Sequence, residues 1–248
     1  MNWVWLSAAT VLASFGDRQG VSYPIPTGSR GQAISIYVIS LDRSQDRKRH
    51  MDTLLHGYEK QYVTAVDGKR MTQLERDRIS PHRTRPMSPG EVGVFLSHRE
   101  VWKITQHLPE NGWALILEDD VSVAFADWYD YLRNAIQELP RSYGLLYLQE
   151  HSTPMFYDIL GPDAIYMFPQ RISDQDLGQY TVQSGPRLGA YAYCINKKGS
   201  TALLHHTKEM QLPLDVQWQL PQVRQDLEGV AATRKALFVA SGIFPSTI

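Results

Sequence analysis

Three consecutive carboxylates follow directly on an apolar run at residues 113–117; they are Glu118, Asp119 and Asp120. The run has no polar alternation, which indicates a strand buried on both faces, as in a parallel sheet covered by helices. Carboxylates packed at the end of such a strand repel one another and lose hydration unless a cation compensates them. Mn²⁺ or Mg²⁺ held by these oxygens and by substrate phosphates is one interpretation. The alternative is a solvated acidic turn.

A second group of candidate residues follows the apolar segment 34–41, which is predicted to be the first strand. Arg43 and Arg47 lie in the polar segment behind it, where Ser44 is a reasonable N-cap for a helix. A helix N-terminus beside arginines can cradle an anion, because it offers free N–H groups and partial positive charge. The alternative is a basic, solvated helix face.

The next elements offer weaker signals. A second strand is predicted at residues 62–66 and ends in Asp67 and Gly68, where the carboxylate could accept from a ribose or a base. Asp-Gly is equally an ordinary turn. A loop at residues 80–89, rich in Pro and Arg, is long enough for a mobile substrate loop. Ser88 then caps a helix containing His98, which we interpret as a structural histidine.

Composition excludes several classes of protein. The 248 residues carry 25 Lys and Arg against 26 Asp and Glu, without the basic excess of a dedicated nucleic-acid binder. No stretch reaches the roughly 20 apolar residues of a membrane span. Because Cys194 is the sole cysteine, neither an intramolecular disulfide nor a cysteine-rich zinc site can form.

The chain divides into a lead-in, residues 1–32, and a predicted domain, residues 33–248. Residues 3–15 are apolar enough for a secretory signal or anchor, although no Lys or Arg precedes them; a terminal segment docked on the domain is the alternative. Further strands are expected at residues 144–148 and 188–196, and helices at 71–79, 125–139 and 200–206. Strands alternating with helices predict an α/β sheet sandwiched by helices.

Six motifs follow one another along the chain: residues 38–44 with Arg47, 65–68, 90–93 followed by 96–98 and Trp102, 115–121, 189–193 with 198–199, and 213–215. In this order they resemble glycosyltransferase family 25, which includes lipooligosaccharide and collagen galactosyltransferases. The resemblance extends over roughly residues 36–245. Ser40 departs from the pattern, because Asn is common there.

The resemblance implies a single Rossmann-like domain of the GT-A type, with a mostly parallel sheet flanked by helices. It implies a metal-dependent, inverting transfer of a hexose, most often galactose, from a UDP-sugar. Glu118 and Asp120 would hold Mn²⁺ or Mg²⁺, with Asp120 the direct ligand. Matching positions at the donor site are Ser40, Leu41, Asp42, Arg43, Arg47, Asp67, Gly68, Ser97 and Asp119.

An inverting transfer needs a base that deprotonates the acceptor hydroxyl. Asp215 is the first candidate, because it matches a family position after a proline; Glu150, at a predicted strand end, is the second. Asp215 could instead cap the helix that follows, and Glu150 could be a surface acid. Acceptor specificity is expected in residues 155–186.

The expected partners are a nucleotide-sugar donor and a glycan, lipooligosaccharide or hydroxylated protein acceptor, without nucleic acid. The expected location is the cytoplasmic membrane face in a bacterium, with peripheral membrane contact, or the secretory lumen in a eukaryote. A metal-dependent phosphohydrolase or nucleotidyltransferase, which needs a second metal, is the rival interpretation. A non-catalytic nucleotide-sugar-binding relative is the third.

Overall fold

The computed structural model of the protein describes residues 33–82, 85–149, 175–184, 189–219, 227 and 229–244. The lead-in predicted at residues 1–32 and the second base candidate, Glu150, lie outside these ranges, as does most of the segment 155–186. Within the described ranges, no helix combines the length and apolar character needed to cross a membrane.

The described strands and helices alternate along much of the chain. The strands are β1 (Ile34–Ser40), β2 (Lys60–Thr64), β3 (Trp113–Glu118), β4 (Val121–Val123), β5 (Tyr143–Tyr147), β6 (Gln175–Asp176), β7 (Thr181–Gln183), β8 (Ala192–Asn196), β9 (Gly229–Thr233) and β10 (Phe238–Ala240). The helices are α1 (Gln45–Leu54), α2 (Gln73–Ile79), α3 (Pro89–Thr105), α4 (Trp128–Glu138), α5 (Lys197–His206) and α6 (Leu214–Gln217), with a 3₁₀ turn at Gly68–Arg70.

Eight of these strands form one sheet in the order β2-β1-β3-β8-β5-β9-β7-β6, and β4 pairs with β10 in a separate ribbon. The α/β class is confirmed. The sheet is mixed, however, where a mostly parallel one was predicted: β1 is parallel to β2 and β3, and β5 to β9, but the other pairings are antiparallel. The main cause is β8, which inserts between β3 and β5 with the opposite direction.

Each face of the central sheet is buried against helices, which explains why its strands lack polar alternation. In β3, Leu115 and Leu117 pack with α1 and α4 in one core, whereas Ala114 and Ile116 pack with α3, α5 and α6 in the other. Successive side chains of a strand point to opposite faces, so both sets must be apolar. The strand therefore holds its carboxyl end, with Glu118, in a fixed place.

The helix α3 begins as the sequence predicts. Ser88 is its N-cap and accepts from the Glu91 amide (3.1 Å), while the Glu91 carboxylate accepts from the Ser88 amide (2.7 Å). This capping box satisfies two N–H groups that a helix start otherwise leaves unpaired. Ser44, in contrast, occupies the N-cap position of α1 without a side-chain capping bond.

Candidate functional site

The site is built at the carboxyl ends of the neighbouring parallel strands β1 and β3, where Ile39 is in register with Glu118. Ligands of open α/β sheets collect at such strand ends. One residue beyond this pair, the Ser40 hydroxyl donates to Asp119 Oδ2 (2.6 Å). Asp119 is only 6% exposed. The middle acid is therefore a buried linker between the two strand ends.

Within the described part of the chain, Arg47 of α1 forms ion pairs with two of the three acids, Asp119 and Asp120. Its Nη1 donates to Asp119 Oδ1 (2.8 Å) and to Asp120 Oδ2 (3.0 Å), and the residue is 5% exposed. Phe244 lies 5.5 Å from the guanidinium, within range of a cation–π contact, and the Ser241 amide donates to the Asp120 carbonyl (2.9 Å). Arg47 therefore neutralises part of the charge of Asp119 and Asp120.

The surroundings of Asp120 nevertheless disfavour its charged form. Burial raises its pKa, the nearby charge of Glu118 adds to the rise, and Arg47 only opposes it. The carboxylate keeps 29% of its side-chain surface exposed, and that of Glu118 keeps 22%. These two acids therefore remain partly open and repel each other, which is the situation a bound cation would relieve.

Glu118 is held from behind by His98, whose Nε2 lies 3.3 Å from Glu118 Oε1. The other ring nitrogen, Nδ1, lies 2.8 Å from the Tyr193 hydroxyl, which also accepts from Trp102 Nε1 at 2.8 Å. His98 is 1% exposed. Its assignment as a structural histidine missed the contact with the acidic motif, because Tyr193 and Glu118 lie far from it in the sequence.

The loop after β2 forms the opposite wall. Asp67 caps the 3₁₀ turn by accepting from the Lys69 amide (3.2 Å) and forms an ion pair with Arg43. A Cβ atom on Gly68 would stand 1.7 Å from the Pro89 carbonyl oxygen, so only glycine fits there. The glycine turn brings this loop against the start of α3.

Ser97 fixes the same loop from within α3. Its hydroxyl donates to the Gly93 carbonyl (2.6 Å) and accepts from the Val66 amide (2.8 Å). A Cβ on Gly93 would lie 2.6 Å from the Val66 carbonyl oxygen. The segment 90–98, which the sequence singled out, therefore joins the loop after β2 to the sheet.

These elements enclose a first cleft of about 40 Å³. Among the residues that line it are Ser40, Leu41, Arg47, Asp67, Gly68, Lys69, Ser97, His98, Glu118 and Asp119. Two predicted donor residues are not part of the lining. Asp42 is exposed and accepts from the Thr64 hydroxyl (3.0 Å), and Arg43 lies outside the cleft on Asp67.

A second, wider cleft of about 340 Å³ adjoins the first and shares Glu118 and Val94 with it. Its remaining lining residues are Ser88, Glu91, Ala190, Tyr191, Pro213, Leu214 and Asp215. The structure thus brings Glu118 of the acidic motif and the first base candidate to one cleft, although about a hundred residues separate them in the sequence.

Asp215 faces this second cleft from the short helix α6. Its Oδ2 accepts from the Gly189 amide (3.1 Å). Burial raises its pKa, and the charge of Glu118 raises it further against the hydrogen bonds from backbone amides. The N-cap of α6 is Pro213, so Asp215 lies within the first turn and does not occupy the capping position.

Gln149 supports the strand that carries this wall and was not singled out from the sequence. Its Oε1 accepts from the Ala192 amide (3.1 Å), and its Nε2 would lie 2.4 Å from a Cβ on Gly189. Gly189 has φ +86°, which side chains rarely tolerate. The position of the Gly189 amide that donates to Asp215 therefore depends on a residue without a side chain, packed against the side-chain amide of Gln149.

No group of three or more His, Cys, Asp or Glu side chains arranged to hold a metal ion is found in the described ranges. A cation at this site would consequently draw on Glu118 and Asp120 and would complete its shell from a ligand and water.

The comparison with known proteins gives the family. The sequence model of glycosyltransferase family 25 (LPS biosynthesis protein) matches residues 33–218, well over half of the chain. A glycosyltransferase 25 family member of Anopheles gambiae is 28% identical over 73% of this chain and 30% of that protein. Human procollagen galactosyltransferase 2 is 38% identical over 35% of this chain and 15% of that protein.

The chain thus spans about a third or less of the length of these curated relatives. A crystal structure of the galactosyltransferase LgtC in complex with donor and acceptor sugar analogues aligns with 80% of this chain and 72% of that one, at 11% identity and a TM-score of 0.39. That likeness is too distant to carry an argument. The motif order and the family match agree, and the chain belongs to glycosyltransferase family 25.

Proposed function

We propose that the protein is a metal-dependent, inverting glycosyltransferase that moves a hexose, with galactose as the first candidate, from a UDP-sugar to a glycan, lipooligosaccharide or hydroxylated protein. The observation that carries the proposal is the junction of the two clefts at Glu118. A transferase needs donor and acceptor to meet at one point, and this carboxylate borders both spaces. The first cleft would take the donor and the second the acceptor.

The acids fit a divalent cation. Asp120 and Glu118 offer hard carboxylate oxygens that stay partly exposed, and their mutual repulsion contributes to the raised pKa of Asp120. Mg²⁺ and Mn²⁺ are commonly held by one or two carboxylates together with substrate phosphates. When bound, the ion would neutralise charge on the departing diphosphate. Arg47 holds Asp120 beside the strand end by donating to its Oδ2.

The walls of the first cleft suit a nucleotide. Asp67, in the loop after β2, could accept from a ribose or base, and Lys69 brings a cationic residue to the same lining. Leu41 lies in the short connection between β1 and α1. The volume of this cleft is smaller than the several hundred Å³ of ordinary ligand sites, so the cleft has to widen when the donor binds.

Asp215 is the proposed base. It lies across the second cleft from the acidic motif, and burial, followed by the charge of Glu118, raises its pKa. A carboxylate with a raised pKa is a stronger base toward a sugar hydroxyl. The Gly189 amide holds one of its oxygens, which fixes the direction in which the carboxylate faces the acceptor space.

The test measures transfer from UDP-galactose with Mn²⁺ present. Asp215→Asn should lose on the order of 10²-fold or more in kcat with little change in donor KM, because a base acts only in the transition state. Glu91→Gln is the matched control. Glu91 lines the same cleft but is held by Arg85 and the Ser88 amide, so its variant should keep nearly full kcat.

Equal losses in the two variants would contradict the assignment of Asp215. Mn²⁺-dependent hydrolysis of simple phosphoesters, without any transfer of sugar, would instead favour the phosphohydrolase alternative.

A further inference from the structure

Behind Glu118 runs a chain of polar side chains that the proposed reaction does not itself use. Trp102 Nε1 lies 2.8 Å from the Tyr193 hydroxyl, which lies 2.8 Å from His98 Nδ1; His98 Nε2 lies 3.3 Å from Glu118 Oε1. Trp102 and Tyr193 are fully buried, and His98 is 1% exposed. The chain joins α3 and β8 to the end of β3.

The protons of this chain can be counted. An indole nitrogen only donates, so the Tyr193 oxygen accepts from Trp102. The one hydroxyl proton of Tyr193 is then free to point to His98 Nδ1 at 2.8 Å, and in the arrangement that we propose Nδ1 accepts it. A neutral imidazole that accepts at Nδ1 carries its proton at Nε2. That proton faces the Glu118 carboxylate.

We propose that Tyr193, held by Trp102, is a positioning residue that locks His98 in the Nε2-protonated tautomer and thereby fixes Glu118 at the junction of the two clefts. The kinetic consequence rests on the proposed glycosyltransferase function, whereas the tautomer does not. Tyr193 is absent from the lining of both clefts. Its ring also packs on Trp218, but its hydroxyl reaches Glu118 through the imidazole of His98. We therefore expect the loss of the hydroxyl alone, as in Tyr193→Phe, to act through His98.

The chemistry explains why the lock matters. With its proton at Nδ1, His98 would turn a lone pair toward Glu118, and two acceptors would face each other in a largely buried place. Glu118 would then rotate away or recruit a proton, and its contact with the donor side of the junction would be lost. Groups that orient a metal-binding side chain typically contribute 10–100-fold to metal affinity or activity.

The experiment compares Tyr193→Phe with wild type and with Tyr147→Phe. Tyr147 is also fully buried and packs edge-on against Trp218, with ring centroids 5.5 Å apart against 5.0 Å for Tyr193. Tyr147→Phe therefore controls for the loss of a buried hydroxyl. Nitrogen-15 NMR of the His98 ring reads the tautomer directly, and titration with Mn²⁺ alone reads the affinity of the acidic motif.

We expect wild type and Tyr147→Phe to show one Nε2-protonated His98. Tyr193→Phe should show a mixture of tautomers and Mn²⁺ affinity lower by about 10-fold; at saturating Mn²⁺, kcat should be lower by a similar factor with donor KM little changed. His98→Gln keeps an N–H near Glu118 but has no tautomers. In a protein that already carries His98→Gln, adding Tyr193→Phe should therefore change Mn²⁺ affinity and kcat very little.

An unchanged, purely Nε2-protonated His98 in Tyr193→Phe would overturn the proposal, as would full additivity in the double variant. If wild type transfers no sugar, the proposed function fails, yet the NMR comparison still decides whether Tyr193 sets the tautomer. Should Tyr193→Phe fold poorly, the His98 tautomer in Trp102→Phe tests the same lock from the previous member of the chain. A single Nε2-protonated form in that variant would also refute it.

Discussion

Replacing Arg47 by Met removes the guanidinium that neutralises two carboxylates at once. Arg47 is 5% exposed, and its Nη1 lies 2.8 Å from Asp119 Oδ1 and 3.0 Å from Asp120 Oδ2. The methionine side chain keeps much of the packing volume but none of the charge. Asp119, whose side chain is 8% exposed, would retain only the Ser40 hydroxyl among its described side-chain hydrogen bonds.

The expected cost follows from the burial of the partners. Removing one member of a buried ion pair typically destabilises a protein by about 3–5 kcal/mol, because the remaining charge is uncompensated. Asp120 keeps 29% of its side-chain surface exposed, so water relieves part of its loss. We therefore expect Arg47→Met to lower the free energy of unfolding by about 3 kcal/mol.

Urea unfolding measures this change, and the same helix offers a control. Arg49 forms an ion pair with Asp46, but their side chains are 71% and 78% exposed, so Arg49→Met should cost less than about 0.5 kcal/mol. Adding Asp119→Asn to Arg47→Met should recover part of the loss, because it removes the stranded charge. If Arg47→Met costs no more than Arg49→Met, the compensation argument is wrong.

Three further variants test other parts of the structure. Asp215→Asn should melt at or above the melting temperature of wild type at pH 7. Burial raises the pKa of Asp215, so the folded protein loses stability as the pH rises and this carboxyl ionises; in acid the two melting temperatures should converge. Gly68→Ala should cost about 2–3 kcal/mol in urea unfolding, because its Cβ would meet the Pro89 carbonyl. Glu138→Ala should lower the free energy of unfolding by about 2 kcal/mol, because the Glu138 carboxylate accepts hydrogen bonds from the amides of residues 179 and 180; hydrogen exchange at these two amides should become faster.

Local patterns explain what the sequence predicts correctly. The apolar runs of β1 and β3 are buried on both faces, and this burial leaves a signal within each strand itself. The start of α3 follows from the spacing of Ser88, Pro89 and Glu91, since a capping box needs only neighbouring residues. The predicted start of α5 at residue 200 is wrong: the helix begins three residues earlier, at Lys197, where Asn196 is the N-cap and accepts from the Gly199 amide.

Long-range arrangements leave no such signal. The buried strand β8 has the apolar composition of a parallel strand, and nothing within it signals that it runs antiparallel to β3 and β5. The partnership of Arg47 with the acids likewise joins residues more than seventy positions apart. From the sequence, an arginine in the first turns of a helix predicts only local positive charge. The buried ion pair of Arg47 with Asp119 forms because α1 packs against the end of β3.

Thermal unfolding with UDP tests most directly whether the ends of β1 and β3 form a metal-dependent nucleotide site. With Mn²⁺ present and UDP at 100 times its Kd, the melting temperature should rise by about 5 °C or more; without a divalent cation it should not move. Asp120→Asn should abolish the rise while leaving the protein folded. An equal rise without the cation, or in Asp120→Asn, would contradict the account.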